Sequence, residues 1–416
     1  MRETRKHAES KGFLQTNRNL GRTWALHVLS YQSGIELMKT EQRHWTAEGG
    51  WQEIKNRNLG DSANLVLVFG SRPLLEDASK YDEIRAFYPS ADIVMGSTSG
   101  EIMEDLVYDD SLAVTAVSFE KTKLRAISMI IGDAKDSFDA GFQMAEKLKG
   151  ERLNHVFLLS DGLHVNGSEI VKGINSALDK DVPCTGGLAG DAANFSKTLV
   201  GLNAAPSEMQ IVAVGFYGSE LQVGYGSVGG WDNFGAERLV TRSEGNVLYE
   251  LDGQSALDLY KMYLGDKAAE LPGSALLFPL GLKFDEDSDT IVRTVLAVDE
   301  EKNSMTFAGD IPEGCYVRLM KANFDKLIEG ANLAAEHTTQ RGGSSSDKLA
   351  LLISCVGRKL ILGQRIDEEV EAVKEVLGDG VTITGFYSYG EISPVVESAR
   401  CELHNQTITI TTFAET

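Results

Sequence analysis

The chain has 416 residues, 42% of them hydrophobic, with 42 glycines, 4 cysteines, and 40 Lys and Arg against 61 Asp and Glu for a formal charge of −21. That length allows two or three domains, and that composition belongs to a folded, turn-rich protein rather than a disordered or fibrous one. The acidic balance argues against nucleic-acid and anionic-membrane partners, because both are held by clustered Lys and Arg.

The first 37 residues depart from this balance. They carry six Lys and Arg (Arg2, Arg5, Lys6, Lys11, Arg18, Arg22) against three Glu (Glu3, Glu9, Glu36), which leaves −24 for the rest. Residues 1–37 are therefore expected to be an extension outside the fold, and residues 38–63 a lead-in to it. No apolar run approaches the roughly 20 residues of a membrane helix. Cys184, Cys315, Cys355 and Cys401 form neither a CxxC pair nor a secreted disulfide framework. A cytoplasmic location is the expectation.

From residue 64 onward one design recurs. The first unit runs from the apolar stretch Leu65 to Gly70, through a helical pattern over Leu74 to Phe87, to Asp92 through Ile102, with a later strand over Leu112 to Phe119. The second has His155 to Ser160, a helix over Ser168 to Leu178, Val182 to Asp191, and Met209 to Tyr217. The third has Leu349 to Cys355, a helix over Asp367 to Leu377, Val381 to Ile392, and Cys401 to Phe413; a weaker fourth copy is expected from Ser274 to Gly281. Continuous apolar strands ending in turns predict strands buried on both faces and covered by helices. The final strands of units one and three follow too closely for another helical crossover, so part of each sheet is antiparallel. The expected fold class is α/β, a two-part protein with mixed sheets built from repeated strand-helix-strand units.

Three groups of residues carry a family resemblance: Gly96-Ser-Thr-Ser-Gly-Glu-Ile102, Gly385-Phe-Tyr-Ser-Tyr-Gly-Glu-Ile392, and the closing Cys401-Glu-Leu-His-Asn-Gln-Thr407. Together with Val240 to Gly253 they resemble the signatures of the FIST sensory-domain family, with an N half over 64–245 and a C half over 246–416. The resemblance implies a sensor of small molecules that works with histidine kinases or cyclic-di-GMP enzymes. The two-half architecture is also similar to NosP-type members, which bind b-type haem and report nitric oxide. No kinase or cyclase segment is recognised in this chain, so output is expected to pass to a separate protein.

Haem needs an axial ligand and an apolar slot. His404, inside the last motif, and His337, on a helical pattern beside Leu333 and Ala334, are the candidate cofactor ligands, with His404 the candidate metal ligand. For an organic ligand the candidates are Ser97, Thr98, Ser99 and Glu101 from the first motif and Tyr387, Tyr389 and Glu391 from the last. Hydroxyls and an acid suit an amino-acid-like molecule, and tyrosine rings supply apolar walls. The competing reading has both acids accepting amides of their own loops. A hydrolase or transferase using one of these acids, or a scaffold without a ligand, are the alternatives. Gly224 to Gly229 matches GxGxxG, but a strand-like segment rather than a helix follows it, the wrong context for a dinucleotide.

Overall fold

The computed structural model describes residues 38–132, 136–284, 290–341, 348–394 and 400–416. The basic stretch 1–37 lies outside the described residues.

Three six-stranded sheets share one plan. At the centre of each is an apolar strand: Leu65–Gly70, Leu153–Ser160 or Lys348–Cys355. On one side it pairs in parallel with the strand that ends in the glycine motif, Asp92–Ser97, Cys184–Leu188 or Val381–Ser388. On the other it pairs antiparallel with Ser111–Phe119, Gln210–Tyr217 or Ile408–Glu415. A helix must link the parallel pair, because a tight turn cannot join two strands running the same way. That helix is Ala78–Phe87, Gly167–Ala177 or Ile366–Leu377. In the first unit the pattern expected as one helix from Leu74 is broken, since the Asp77 side chain accepts the Ser79 amide and starts a new helix there.

Each unit also opens on a strand that pairs with its last: Met38–Thr46, Lys123–Ile130 and Leu221–Val228. The first of these lies in the stretch expected only to lead into the fold. Its alternation is hidden because Thr40, Gln42 and His44 are buried polar residues, so the sequence lacks an apolar signature there.

The segment after each glycine motif leaves its own sheet. Glu101–Met103 joins the third unit's sheet beside Val381–Ser388. Gly390–Pro394 joins the second unit's sheet beside Cys184–Leu188, and Cys401–His404 pairs with Gly390–Pro394 at that sheet's edge. Val200–Leu202 joins the first unit's sheet beside Asp92–Ser97. The exchange is cyclic and binds the three units into one body. The expected single strand from Cys401 to Phe413 is thereby corrected: it is two strands in two sheets, divided at Asn405 to Thr407.

The expected fourth copy is also corrected. Gly273–Leu277 is a short 3-10 turn leading to Leu280–Lys283, a strand of an eight-stranded antiparallel sheet inserted into the third unit between Asp232 and Lys321. This sheet has its own core, with Leu248, Leu257, Tyr260, Phe307 and Val317.

Phe69, Leu159 and Ile353, at matching positions of the three central strands, meet in one interior cluster with Phe157, Phe386 and Phe413. The outer faces pack on their helices in separate clusters, which is why every central strand is apolar on both faces.

Candidate functional site

The strand exchange brings the three glycine motifs to one place. The Ser99 amide donates to the Tyr387 carbonyl, and the Tyr387 amide donates to the Gly100 carbonyl, both at 2.8 Å. Gly190 and Ala192 donate to the carbonyls of Ser97 and Thr98, while Tyr389 donates to that of Leu188. Gly100 takes φ of 139°, where an added Cβ would collide with the Lys359 ammonium that donates to the Ser99 carbonyl.

Both motif acids are buried and held by hydroxyls. Glu101 accepts from the Thr98 hydroxyl and from the Ser111 amide and hydroxyl. Glu391 accepts from the Ser388 hydroxyl at 2.6 Å and from the Thr407 amide and hydroxyl. Burial outweighs these bonds and pushes Glu101 up to about 7 and Glu391 up to about 8. In each case the acid ties its own loop to the strand that follows the exchanged segment. Their bonding is structural.

The remaining expected ligand residues divide. Ser97 is buried and its hydroxyl accepts the Leu199 amide. The Tyr387 hydroxyl donates to Glu369 at 2.7 Å, within a buried network where Glu369 also meets Arg358 at 2.6 Å and Ser354 at 2.9 Å. Thr98, Ser99 and Glu101 line a small polar cleft of about 90 Å³ with Arg72, Asp109 and Asp191. Tyr389 faces a different space, a cavity of about 330 Å³. The expectation of one site shared by both motifs is therefore corrected. Of the seven residues, Ser97, Tyr387 and Glu391 line neither space, and the other four fall in two spaces separated by the loop from Asp191 to Ser196.

That loop is held from both sides. The Ser99 hydroxyl donates to the Ala192 carbonyl at 2.8 Å. The Tyr389 hydroxyl donates to the Asp191 carboxylate and accepts the Phe195 amide, and its ring stacks on Phe195 with centroids 4.5 Å apart. Asp191 also accepts from Ser196 and Lys197. Ala192 and Phe195 sit at φ of 58° and 50°, a left-handed backbone that these contacts hold in place.

The larger cavity is bounded by Leu163, Val165 and Phe195 of the second unit, Cys355, Val356, Tyr389 and Asn405 of the third, and Thr294, Leu296 and Phe307 of the inserted sheet. Its size is within the range of small-molecule sites. Phe195 and Leu296 are 43% and 46% exposed, large apolar side chains left in water at its edge. Asn405 and Thr294 are buried, and neither the amide atoms of the first nor the hydroxyl of the second has a hydrogen-bond partner. Burial raises the Cys355 thiol far above its usual range, so it is a neutral part of the wall.

The histidines do not fit a haem site. His404 is buried opposite Glu391, its Nε2 lies 3.1 Å from the Ser393 carbonyl, and burial lowers it to about 4. His337 is exposed on the helix Phe324–Arg341. Neither lines the 330 Å³ cavity, and the two are not brought together. Among the described residues no group of three His, Cys, Asp or Glu is placed to hold a metal ion, and no helix is long and apolar enough to cross a membrane. Sequence reasoning stopped at His404 when the residue beside it, Asn405, was in the same motif and lines the cavity. Thr294 carried no motif at all.

Residues 64–254 match the FIST N domain and residues 256–394 the FIST C domain. An uncharacterized protein of Methanocaldococcus jannaschii is 24% identical over 353 residues, spanning 77% of this chain. The chain covers 65% of that relative's length. A cyanuric acid hydrolase from A. caulinodans superposes with a TM-score of 0.36 at 8% identity, over 91% of this chain and 99% of that one.

Proposed function

We propose that this chain, which belongs to the FIST family, binds its small ligand in the 330 Å³ cavity and signals through the loop that Tyr389 holds. FIST domains are small-ligand sensory domains of signalling proteins, not catalytic ones. The observation that carries the placement is a cavity of small-molecule size walled by three parts of the fold and edged by the half-exposed apolar side chains of Phe195 and Leu296.

A ligand against Tyr389 and Phe195 would alter the contacts that fix Asp191 and Ala192. Those residues also wall the Ser99 cleft, so occupancy on one side is felt on the other. The receiving protein in this reading is a separate histidine kinase or cyclic-di-GMP enzyme. The reading is tested by thermal unfolding against a library of small metabolites, with Ala308→Trp as the control, since Ala308 lines the cavity and a larger side chain there fills it. A ligand at a hundredfold its dissociation constant should stabilise the native protein by about 2.7 kcal/mol. Loss of that stabilisation in Ala308→Trp supports the site; an equal shift in both proteins refutes it.

A further inference from the structure

The three units differ in what lies beyond their opening strands. In the first, Met38–Thr46 is followed across the sheet by Gly50–Lys55, so its outer edge is paired. In the third, the helix Phe324–Arg341 lies so close on Leu221–Val228 that a Cβ at Gly224 or Gly226 would strike the carbonyl oxygen of Thr338 or Ala334, and no residue of that strand is exposed. In the second, Lys123–Ile130 pairs only with Gln210–Tyr217 and ends the sheet. Four of its eight residues are exposed, Ile130 at 71%. Apart from these last two, the strands at sheet edges among the described residues have six residues or fewer. A long free edge is a template for another strand, and a short edge is one way of avoiding that.

One bond fixes which backbone groups face outward. The Ile131 amide donates to the Met209 carbonyl, and Lys123–Ile130 pairs with Gln210–Tyr217 residue for residue without a bulge. The odd-numbered residues therefore turn their amides and carbonyls into the sheet, and Leu124, Ala126, Ser128 and Ile130 present theirs outward. An antiparallel copy of the strand centred on Ile127 sets Leu124 opposite Ile130, Arg125 opposite Met129 and Ala126 opposite Ser128. The outward-bonding residues of each strand then meet those of the other, Leu124 covers the exposed Ile130, and no charge opposes its own kind. The ends match as well. Lys123 reaches the far end of the second strand, where Asp136 and Asp139 line an open cleft with Ile130 and Ile131. Among the described residues, Lys123, Asp136 and Asp139 form no ion pair within the chain.

We infer that the chain forms a two-fold dimer by pairing Lys123–Ile130 with the same strand of a second copy, antiparallel about Ile127, so that the two second-unit sheets become one continuous sheet. None of these residues lines the 330 Å³ cavity, so the dimer is independent of the ligand site. A single pair of strands makes an interface below the standard size, which sets a dissociation constant of about 10–100 µM.

The test is sedimentation equilibrium of the full chain from about 1 to 500 µM, in about 0.15 M salt to screen the repulsion of two acidic bodies beyond about 8 Å. A monomer-dimer equilibrium is expected in that range. Ile130→Lys should weaken it at least about tenfold. The melting temperature of that variant should be unchanged, because Ile130 lies mostly in water. Disulfide trapping in a glutathione redox buffer reads the register, with the four native cysteines buried. Ile127→Cys faces its own copy across the axis at about 4.5 Å between Cα atoms and should form an intermolecular disulfide. Ser128→Cys, although more exposed, lies diagonal to its own copy at about 7–8 Å and should not. A chain that stays monomeric throughout, a dimer indifferent to Ile130→Lys, or trapping by Ser128→Cys in preference to Ile127→Cys overturns the inference.

Discussion

The first and last glycine motifs read almost alike, and the structure gives them one common part and one different part. The common part is the hydroxyl and acid: Thr98 with Glu101, Ser388 with Glu391, each acid also clasped by the hydroxyl of Ser111 or Thr407. The different part is the residue before the glycine. Ser99 reaches the Ala192 carbonyl with a short side chain and leaves a polar cleft of about 90 Å³; Tyr389 reaches Asp191 with a ring and walls a cavity of about 330 Å³. The repeated residues hold the fold, and the residue that varies between copies shapes the site.

Four measurements would break or sharpen this contrast. The last motif rests on a buried ion pair that the first lacks, so Glu369→Ala, which strands the Arg358 guanidinium and the Tyr387 hydroxyl, should destabilise by about 3–5 kcal/mol in chemical denaturation. A loss below 1 kcal/mol would mean the network does not support the strand Val381–Ser388 that leads to Tyr389.

Giving the last motif the first one's residue, Tyr389→Ser, removes a nearly buried ring and should cost about 2–4 kcal/mol and abolish ligand-induced stabilisation. Retained ligand response in a folded Tyr389→Ser protein would break the functional half of the comparison.

Both acids are raised by burial. Both lie above the 4.5 of a free glutamate, so the folded protein holds protons that the unfolded chain releases. Their contribution is full below pH 4.5 and is lost as pH rises through about 7 and about 8. Melting temperature should therefore fall between pH 5 and 9 through these groups (about 4.5 to 8 being their span), and Glu391→Gln and Glu101→Gln should each flatten that fall. A fall left unchanged by both variants would show that neither acid holds its proton on folding.

The smallest effect belongs to Ser99→Ala, about 0.5–1.5 kcal/mol for one hydrogen bond to Ala192, with the response to a cavity ligand preserved. A larger loss of ligand response than of stability would show that the small cleft takes part in recognition.

Much of this was legible in the sequence for local reasons. Apolar runs ending in turns marked the three central strands, and a 3.6-residue pattern marked the helices beside them. The Gly-Glu motifs pointed to the family and to Tyr389. The histidines misled, because a motif position does not reveal whether a ring nitrogen is free or faces a carbonyl such as that of Ser393. Met38–Thr46 was missed because its buried side chains include Thr40, Gln42 and His44, which bear no apolar signature.

The sequence by itself determined the repeated unit and the mixed strand directions, since these follow from short-range periodicity and turn chemistry. Only the tertiary structure decided which sheet each post-glycine segment joins, because a strand's pairing is made by backbone bonds that any residue but proline can form. That choice brings Tyr389 and Asn405 against the second unit, and the inserted sheet adds Thr294 and Phe307 from about a hundred residues away in the chain. No local pattern records such a meeting, since a cavity is a property of surfaces that touch only after folding.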